Sequence, residues 1–361
     1  RSRGVDVLMS AGTTRKISGG TAVIAALLAV IGLYLVYELL TDPYTLLQAV
    51  VKSLAMGSIY ALIALGFVLI FKATEVINFA QGALAMCGAL FVSYSFTDEH
   101  IPFTTIHNPI VDIGGPVWIR WVLCALLGMA FAALLGLLLE RIAIRPMIGQ
   151  PLFSVAVITL GLEIVLRAVA YDAVKTAPRV LGVPWGVKDF KIGTAVINYS
   201  YVVVILVALA AFYAVFVFYR SKMGIALRAV ARDQEAAMAQ GISIGKVFAI
   251  AWGAGAVLAA IGGLFASSPP IGQTGAVGAT TALVAFRALP AVILGGLDSV
   301  QGALVGGLIV GLSEILAGQY LAGQVAWLGS GYPLIIPYVV MIIALLVRPY
   351  GLFGTPEIRR V

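Results

Sequence analysis

Charge is scarce in this chain: only 11 % of its 361 residues are Asp, Glu, Lys or Arg, against 61 % that are hydrophobic. A soluble domain of that length could not cover its surface with so few ionised groups. The composition therefore excludes an ordinary globular enzyme and points to a polytopic all-α membrane protein. Histidine is scarcer still. His100 and His107 are the only two, and both fall in one polar loop, so no histidine-rich metal centre is expected. Cys87 and Cys124 lie inside apolar runs, which argues against a disulfide framework. A phosphate-binding loop is also missing, because residues 241–246 have the wrong spacing and no Ser or Thr follows Lys246. No Ser-His-Asp or paired-carboxylate arrangement is readable. The chain is expected not to be an enzyme, to hold no cofactor of its own and not to bind nucleic acid. A cleavable signal peptide is not expected either, since the first apolar run, 21–40, is too long and lacks a small-residue cleavage site.

What the sequence has in abundance is apolar length. Runs at 21–40, 46–71, 76–96, 118–139, 151–171, 199–219, 247–265, 280–297, 300–317 and 333–347 approach or exceed the ~20 residues that cross a bilayer as a helix. The 40 glycines fit, because small residues let membrane helices approach closely. The expectation is about ten transmembrane helices, with a range of eight to ten because 267–332 leaves room for broken or re-entrant segments. Fifteen Lys and Arg fall in the segments assigned to the inner side and four in the outer loops, all four in 172–198. That imbalance places both termini in the cytoplasm. The expected division is a cytoplasmic tail at 1–18, a permease domain at 19–348 and a second tail at 349–361. The outer loop 97–116 carries Asp98, Glu99 and Asp112 but no Lys or Arg, and 172–198 is the longest connection, without clear periodicity.

One long polar run stands out, RSKMGIALRAVARDQEAAMAQGISIGK at 220–246, between two apolar runs. It has helical composition and carries Arg228, Arg232, Asp233 and Glu235. Gly241 stands where a helix takes its left-handed C′ residue and Ser243 where the next takes its N-cap. A short charged helix there is a surface for meeting a cytoplasmic partner, or else a solvated loop helix.

Ionisable residues at membrane depth are Glu163, Arg167, Arg287 and Glu314. They are expensive there and face the protein interior or a water-filled path. Glu163 and Arg167 are four apart and can pair on one helix. Arg287 has no local partner; it either pairs across helices with Glu314 or Glu163, or meets an anionic group of a solute. Asn78, Gln81, Ser299 and Gln301 open two apolar spans. They either hydrogen-bond the backbone at helix breaks or line a substrate path. Gln81-Gly-Ala-Leu and Gln301-Gly-Ala-Leu echo each other, as in an ancient duplication, and transporters place their path where such repeats meet. The densest glycine cluster, Gly295, Gly296, Gly302, Gly306, Gly307 and Gly311, signals close helix packing.

Three segments carry a family resemblance. Residues 57–84, GSIYALIALGFVLIFKATEVINFAQGAL, resemble a signature with an Asn-Phe-Ala-x-Gly core; 291–314, AVILGGLDSVQGALVGGLIVGLSE, resemble a Gly-rich C-terminal signature; and 220–242 resembles a cytoplasmic coupling segment. Together with RPYGLFG at 348–354, they are similar to the branched-chain amino acid permease family of ABC importers, most of all to the first of its two related permease subunits. The resemblance covers almost the whole chain from about residue 46. It departs in a longer N-terminal extension, an individual 97–116 loop, and Gln81 where the family often has His. It implies a multi-pass subunit of a bacterial-type cell membrane that pairs with a second permease subunit, identical or related. Two cytoplasmic ABC ATPases would bind the ATP, and an extracytoplasmic binding protein would deliver the solute to the 97–116 and 172–198 loops. Arg228, Arg232, Asp233, Glu235 and Gly241 would serve ATPase coupling. Asn78, Gln81, Arg287, Ser299 and Gln301 would line the substrate pathway. The alternatives are an ion-coupled secondary carrier or passive channel for a small solute such as urea, and a membrane subunit that regulates or assembles without transporting.

Overall fold

A computed structural model describes residues 32–100, 105–174, 179–271, 275–321 and 331–355. The expected 1–18 tail and the first part of the first span lie outside these residues. The helices are α1 (Gly32–Thr41), α2 (Pro43–Thr74), α3 (Gln81–Thr97), α4 (Val117–Leu139), α5 (Leu152–Val174), α6 (Tyr199–Arg220), α7 (Lys222–Arg232), α8 (Gln234–Ala239), α9 (Ile244–Ala266), α10 (Ala279–Gly295), α11 (Val300–Tyr320) and α12 (Ile336–Val347). Apart from α7 and α8, each matches one of the ten apolar runs. Among the described residues six helices are long and apolar enough to cross a membrane, while α1, α10 and α12 are shorter apolar helices.

The core is organised on α2. Its 57–70 stretch has no polar face, as suits a membrane span or a protein core, and packing makes it the core here. In its best apolar window 83 % of residues are buried, against 17 % for α5, which therefore lies at the periphery. Enclosure demands close neighbours, and glycine supplies them. A Cβ on Gly307 would stand 2.5 Å from the Ala61 nitrogen, and one on Gly311 would collide with the Gly57 nitrogen, so α11 touches α2 backbone to backbone. On the other side, Gly66 of α2 meets Gly255 of α9, and α9 in turn packs on α3 through Gly263 and Gly88. Gly311→Val is expected to abolish accumulation of folded protein. Ordinary overpacking costs roughly 1–3 kcal/mol, and here the colliding atoms are main chain and cannot turn away. Membrane-fraction immunoblotting checks this; normal levels of the variant would contradict the α2–α11 contact.

The structure adjusts several sequence expectations. The third span begins at Gln81 rather than near 76, because 76–80 is irregular. α10 and α11 are each one unbroken helix, with Pro290 inside α10 and a turn at 296–299 between them, so neither helix is split into re-entrant halves. Residues 272–274 and 322–330 of that region lie outside the described ones. Within 172–198 the chain forms a hairpin, β2 (Asp189–Ile192) with β3 (Ala195–Asn198), turning at Gly193, whose φ is +61°. A second ladder joins β1 (Arg179–Val180) to β4 (Ala276–Val277). Loops meet in two groups. Arg179 reaches Asp98, and Ser200 Oγ donates to the Pro269 carbonyl (2.7 Å). Arg145 joins Gly245, and Asp298 joins Thr355.

Candidate functional site

The 220–246 stretch forms two helices rather than one. The break falls at Asp233, whose extended backbone (φ −162°, ψ 108°) ends α7 and whose side chain accepts the Ala236 N–H (2.9 Å) as the N-cap of α8. The Asp side chain competes with helix continuation, and the cap wins. α7 is capped in turn by Ser221 Oγ, which accepts the Gly224 N–H (3.2 Å). Gly241 adopts φ +82°, a left-handed conformation that glycine takes without strain. Ser243 occupies the N-cap position of α9 but makes no side-chain capping bond.

An apolar seam seats the pair. Leu227 and Val230 of α7 and Ala237 of α8 pack with Ala73 at the end of α2 and with Val247, Phe248 and Ala251 of α9. Burying that seam turns the charges outward, and Arg228, Arg232, Asp233 and Glu235 are all exposed on the solvent side of the pair. Arg228 is not wholly free, because Nη1 donates to the Tyr219 carbonyl (2.5 Å) in the last turn of α6. Lys72 lies over the Tyr219 ring at 5.5 Å. On the far side, Arg145 makes a two-pronged pair with the buried Glu140 (3.0 Å each) and donates to the Gly245 carbonyl (3.1 Å), tying the end of α4 to the start of α9. A cavity of about 210 Å³ opens between Gln234 of α8, Glu75 at the end of α2, and Met147 to Leu152 in the α4–α5 turn.

The expected pathway residues do not gather in one place. Asn78 and Gln81 are fully buried and bonded to each other, Asn78 Nδ2 donating to Gln81 Oε1 (3.1 Å). Gln81 Nε2 donates onward to the Gly255 carbonyl of α9 (3.0 Å), and Asn78 Oδ1 accepts the Ala80 N–H (3.0 Å). Thr159 of α5 closes the same break by accepting the Phe79 N–H (3.2 Å). Ser299 caps α11 by accepting the Gly302 N–H (2.9 Å), while Gln301 is exposed. The two echoing glutamines thus meet different surroundings.

Arg287 and Glu314 do converge. Tyr60 of α2 donates its hydroxyl proton to Glu314 Oε2 of α11 (2.5 Å), and Arg287 of α10 stands within electrostatic reach of both. Tyr60 is fully buried and Glu314 is 8 % exposed, whereas Arg287 is half-buried. Sequence reading missed Tyr60, since a tyrosine inside an apolar run gives no signal of its own. Glu163 and Arg167 pair within α5 at 3.6 Å; the Glu163 side chain is 1 % exposed, and neither of its oxygens accepts a hydrogen bond. Chemically, the protein holds a half-buried cation within electrostatic reach of a hydrogen-bonded carboxylate among its apolar helices, and an exposed charged helix pair. Among the described residues no group of three His, Cys, Asp or Glu could hold a metal.

A multi-pass helical bundle with those two features belongs to the class of membrane transport subunits. The family model for the branched-chain amino acid transport system permease component matches residues 49–345, and the chain belongs to that family. Among curated relatives, it is 30 % identical over 327 residues to the high-affinity branched-chain amino acid transport system permease protein LivH of Escherichia coli K12, covering 87 % of this chain and 97 % of that one. It is 27 % identical to the corresponding BraD of Pseudomonas aeruginosa, over 88 % and 99 % of the two chains. A probable LivH of Methanocaldococcus jannaschii is 28 % identical over 82 % and 89 %. Among solved structures, PsaBC from Streptococcus pneumoniae in complex with Fab aligns over 89 % of this chain and 97 % of that one, at 13 % identity and a TM-score of 0.43. The chain is accordingly a multi-pass membrane permease subunit of an ABC transport system and not an enzyme.

Proposed function

We propose that this permease moves branched-chain amino acids, or a similar small polar solute, inward across the membrane, driven by ATP hydrolysis in partner subunits. The observation that carries the proposal is the α7–α8 pair, apolar toward α2 and α9 and charged toward the cytoplasm. Such a segment suits a groove on a cytoplasmic ATPase, and its seating on two central helices gives it leverage over the path. Two ATPases, a second permease subunit and an extracytoplasmic binding protein complete the assembly. A carrier working alone would have no use for an exposed charged helix pair between two spans. Arg287 is assigned to the solute path, as a half-open cation at membrane depth.

The test is uptake of labelled leucine, and separately of urea, into vesicles holding the chain with its ATPases, partner permease and binding protein. ATP-dependent leucine uptake is expected. ATP-dependent urea uptake would move the substrate and keep the class, and uptake driven by an ion gradient alone would replace the importer by a secondary carrier.

A further inference from the structure

The C-terminal stretch 348–355 folds back onto the turn between α10 and α11. Helix ends leave their last carbonyls without partners, and here another part of the chain supplies them. The Leu352 N–H donates to the Leu294 carbonyl (2.8 Å) and the Phe353 N–H to the Gly295 carbonyl (3.0 Å), both in the last turn of α10. The approach is so close that a Cβ on Gly296 would stand 2.5 Å from the Gly354 nitrogen, and one on Gly351 2.7 Å from the Gly296 nitrogen. Both Gly296 (φ +105°) and Gly351 (φ +80°) also hold backbone conformations that favour glycine. Asp298 then clasps the end of the hook, accepting the Thr355 N–H at Oδ1 (3.3 Å) and the Thr355 hydroxyl at Oδ2. The Gly-Gly-x-Asp turn and the Arg-Pro-Tyr-Gly-Leu-Phe-Gly tail, more than 50 residues apart in sequence, are thus one structure.

Lys72, at the end of α2, is within electrostatic reach of Asp298 on one side and Arg228 on the other, and it lies over the ring of Tyr219, whose carbonyl Arg228 holds. Direct contacts thus join the tail to Asp298, and Lys72 and Arg228 to Tyr219 at the root of α7, while Asp298 and Lys72 act on each other through space with no ion pair within 4 Å among the described residues. Tail and α7 touch none of each other's side chains in any hydrogen bond or ion pair among the described residues; Asp298 and Lys72 stand between them.

We propose that Asp298, clamped by the C-terminal hook, is a positioning residue for transport: it fixes the α10–α11 turn against the inner end of α2 and, through Lys72, sets the angle at which α7 leaves α6. The inference rests on α7–α8 being the ATPase contact. It adds that the tail, which touches neither solute nor nucleotide in this scheme, decides how well motion of that contact reaches the helices.

The experiment uses the full transporter in vesicles and reads three quantities: permease level with ATPase co-purification, ATP hydrolysis, and solute taken up per ATP. Asp298→Asn keeps an acceptor for the Thr355 N–H and removes the charge; Asp298→Ala removes both; Thr355→Val removes the hydroxyl. Deletion from Tyr350 onward removes the hook. Expected for Asp298→Ala and the deletion are unchanged level and co-purification, with uptake per ATP lowered about tenfold, the weight of a typical coupling free energy. Asp298→Asn is expected to fall between these and wild type, and Lys72→Gln to reproduce its loss. Unchanged uptake per ATP in Asp298→Ala and in the deletion would overturn the proposal, as would a fall in uptake that only tracks lost protein. A wild-type complex without ATP-dependent uptake would instead overturn the importer function on which the proposal rests, and the two failures are distinguishable.

Discussion

Arg287→Gln is expected to lower uptake about 10- to 100-fold while permease level and ATPase co-purification stay near wild type, the weight of one charge-assisted hydrogen bond of ~1.5–3 kcal/mol lost from the solute's path. The expectation comes from the asymmetry of the Tyr60–Glu314–Arg287 group. Glu314 is enclosed and already accepts the Tyr60 hydroxyl, so its carboxyl is hydrogen-bonded without Arg287. Arg287 is half-buried and forms no ion pair within 4 Å among the described residues. A guanidinium held at membrane depth costs ~2.5–3.5 kcal/mol on insertion scales, and a half-open one without a close carboxylate is placed to meet an anion from outside the fold.

A purely structural role has a different signature. If Arg287 only offsets the charge of Glu314, neutralising both removes the conflict. Arg287→Gln combined with Glu314→Gln should then recover transport, because the new amide oxygen still accepts from Tyr60. If Arg287 receives the solute's carboxylate, the double variant stays as defective as the single one. The double-mutant comparison isolates the interaction because each single change keeps side-chain volume nearly constant. Recovery in the double variant would assign Arg287 to the fold.

The long spans were legible because their signal is composition, and the bilayer demands length in every case. What stayed hidden was decided by contacts that composition does not encode. The late start of α3 follows from Asn78, whose side chain takes the Ala80 N–H and so satisfies backbone that a helix would otherwise use. The β2–β3 hairpin was signalled only by Gly193-Thr194 between DFKI and AVIN, two four-residue runs too short to declare a period. The hook of 348–355 had no local signal at all, since it is held by main-chain bonds to Leu294 and Gly295 and by a carboxylate more than 50 residues away. Its glycines were visible, but their partners were not.

The candidate site divides in the same way. Arg287 and Glu314 could be picked out because charge in an apolar run is conspicuous, and the structure brings them to one group. Tyr60, which completes it, sat unmarked among leucines and alanines. Asn78 and Gln81 were conspicuous for the same reason, yet they meet each other and the Gly255 carbonyl, and their polar groups are spent on the helix break. Polarity in an apolar run marks where hydrogen bonds are needed; whether a solute or the backbone supplies the partner depends on how distant helices pack.

Reversing both acidic charges of the helix pair, Asp233→Lys with Glu235→Lys, is expected to reduce uptake to background and to release the ATPases from the purified complex. That variant alone would mislead, because Asp233 has two occupations. It presents a negative charge to solvent, and it caps α8 through the Ala236 N–H, a bond whose loss costs about 1 kcal/mol. α8 has only six residues, so losing its cap alone could unwind it. Asn caps as well as Asp, and Gln at 235 keeps the helical chain length, so Asp233→Asn with Glu235→Gln strips the charge and spares the geometry. If the carboxylates pair with a basic groove on the ATPase, the neutral double variant is as uncoupled as the reversed one, and in the wild type coupling weakens as ionic strength rises. Were the neutral pair to transport normally while Asp233→Ala failed, the charges would be solvated decoration and the cap would be the functional feature. The seam of Leu227, Val230 and Ala237 would then carry the contact between α7–α8 and the membrane helices by shape alone.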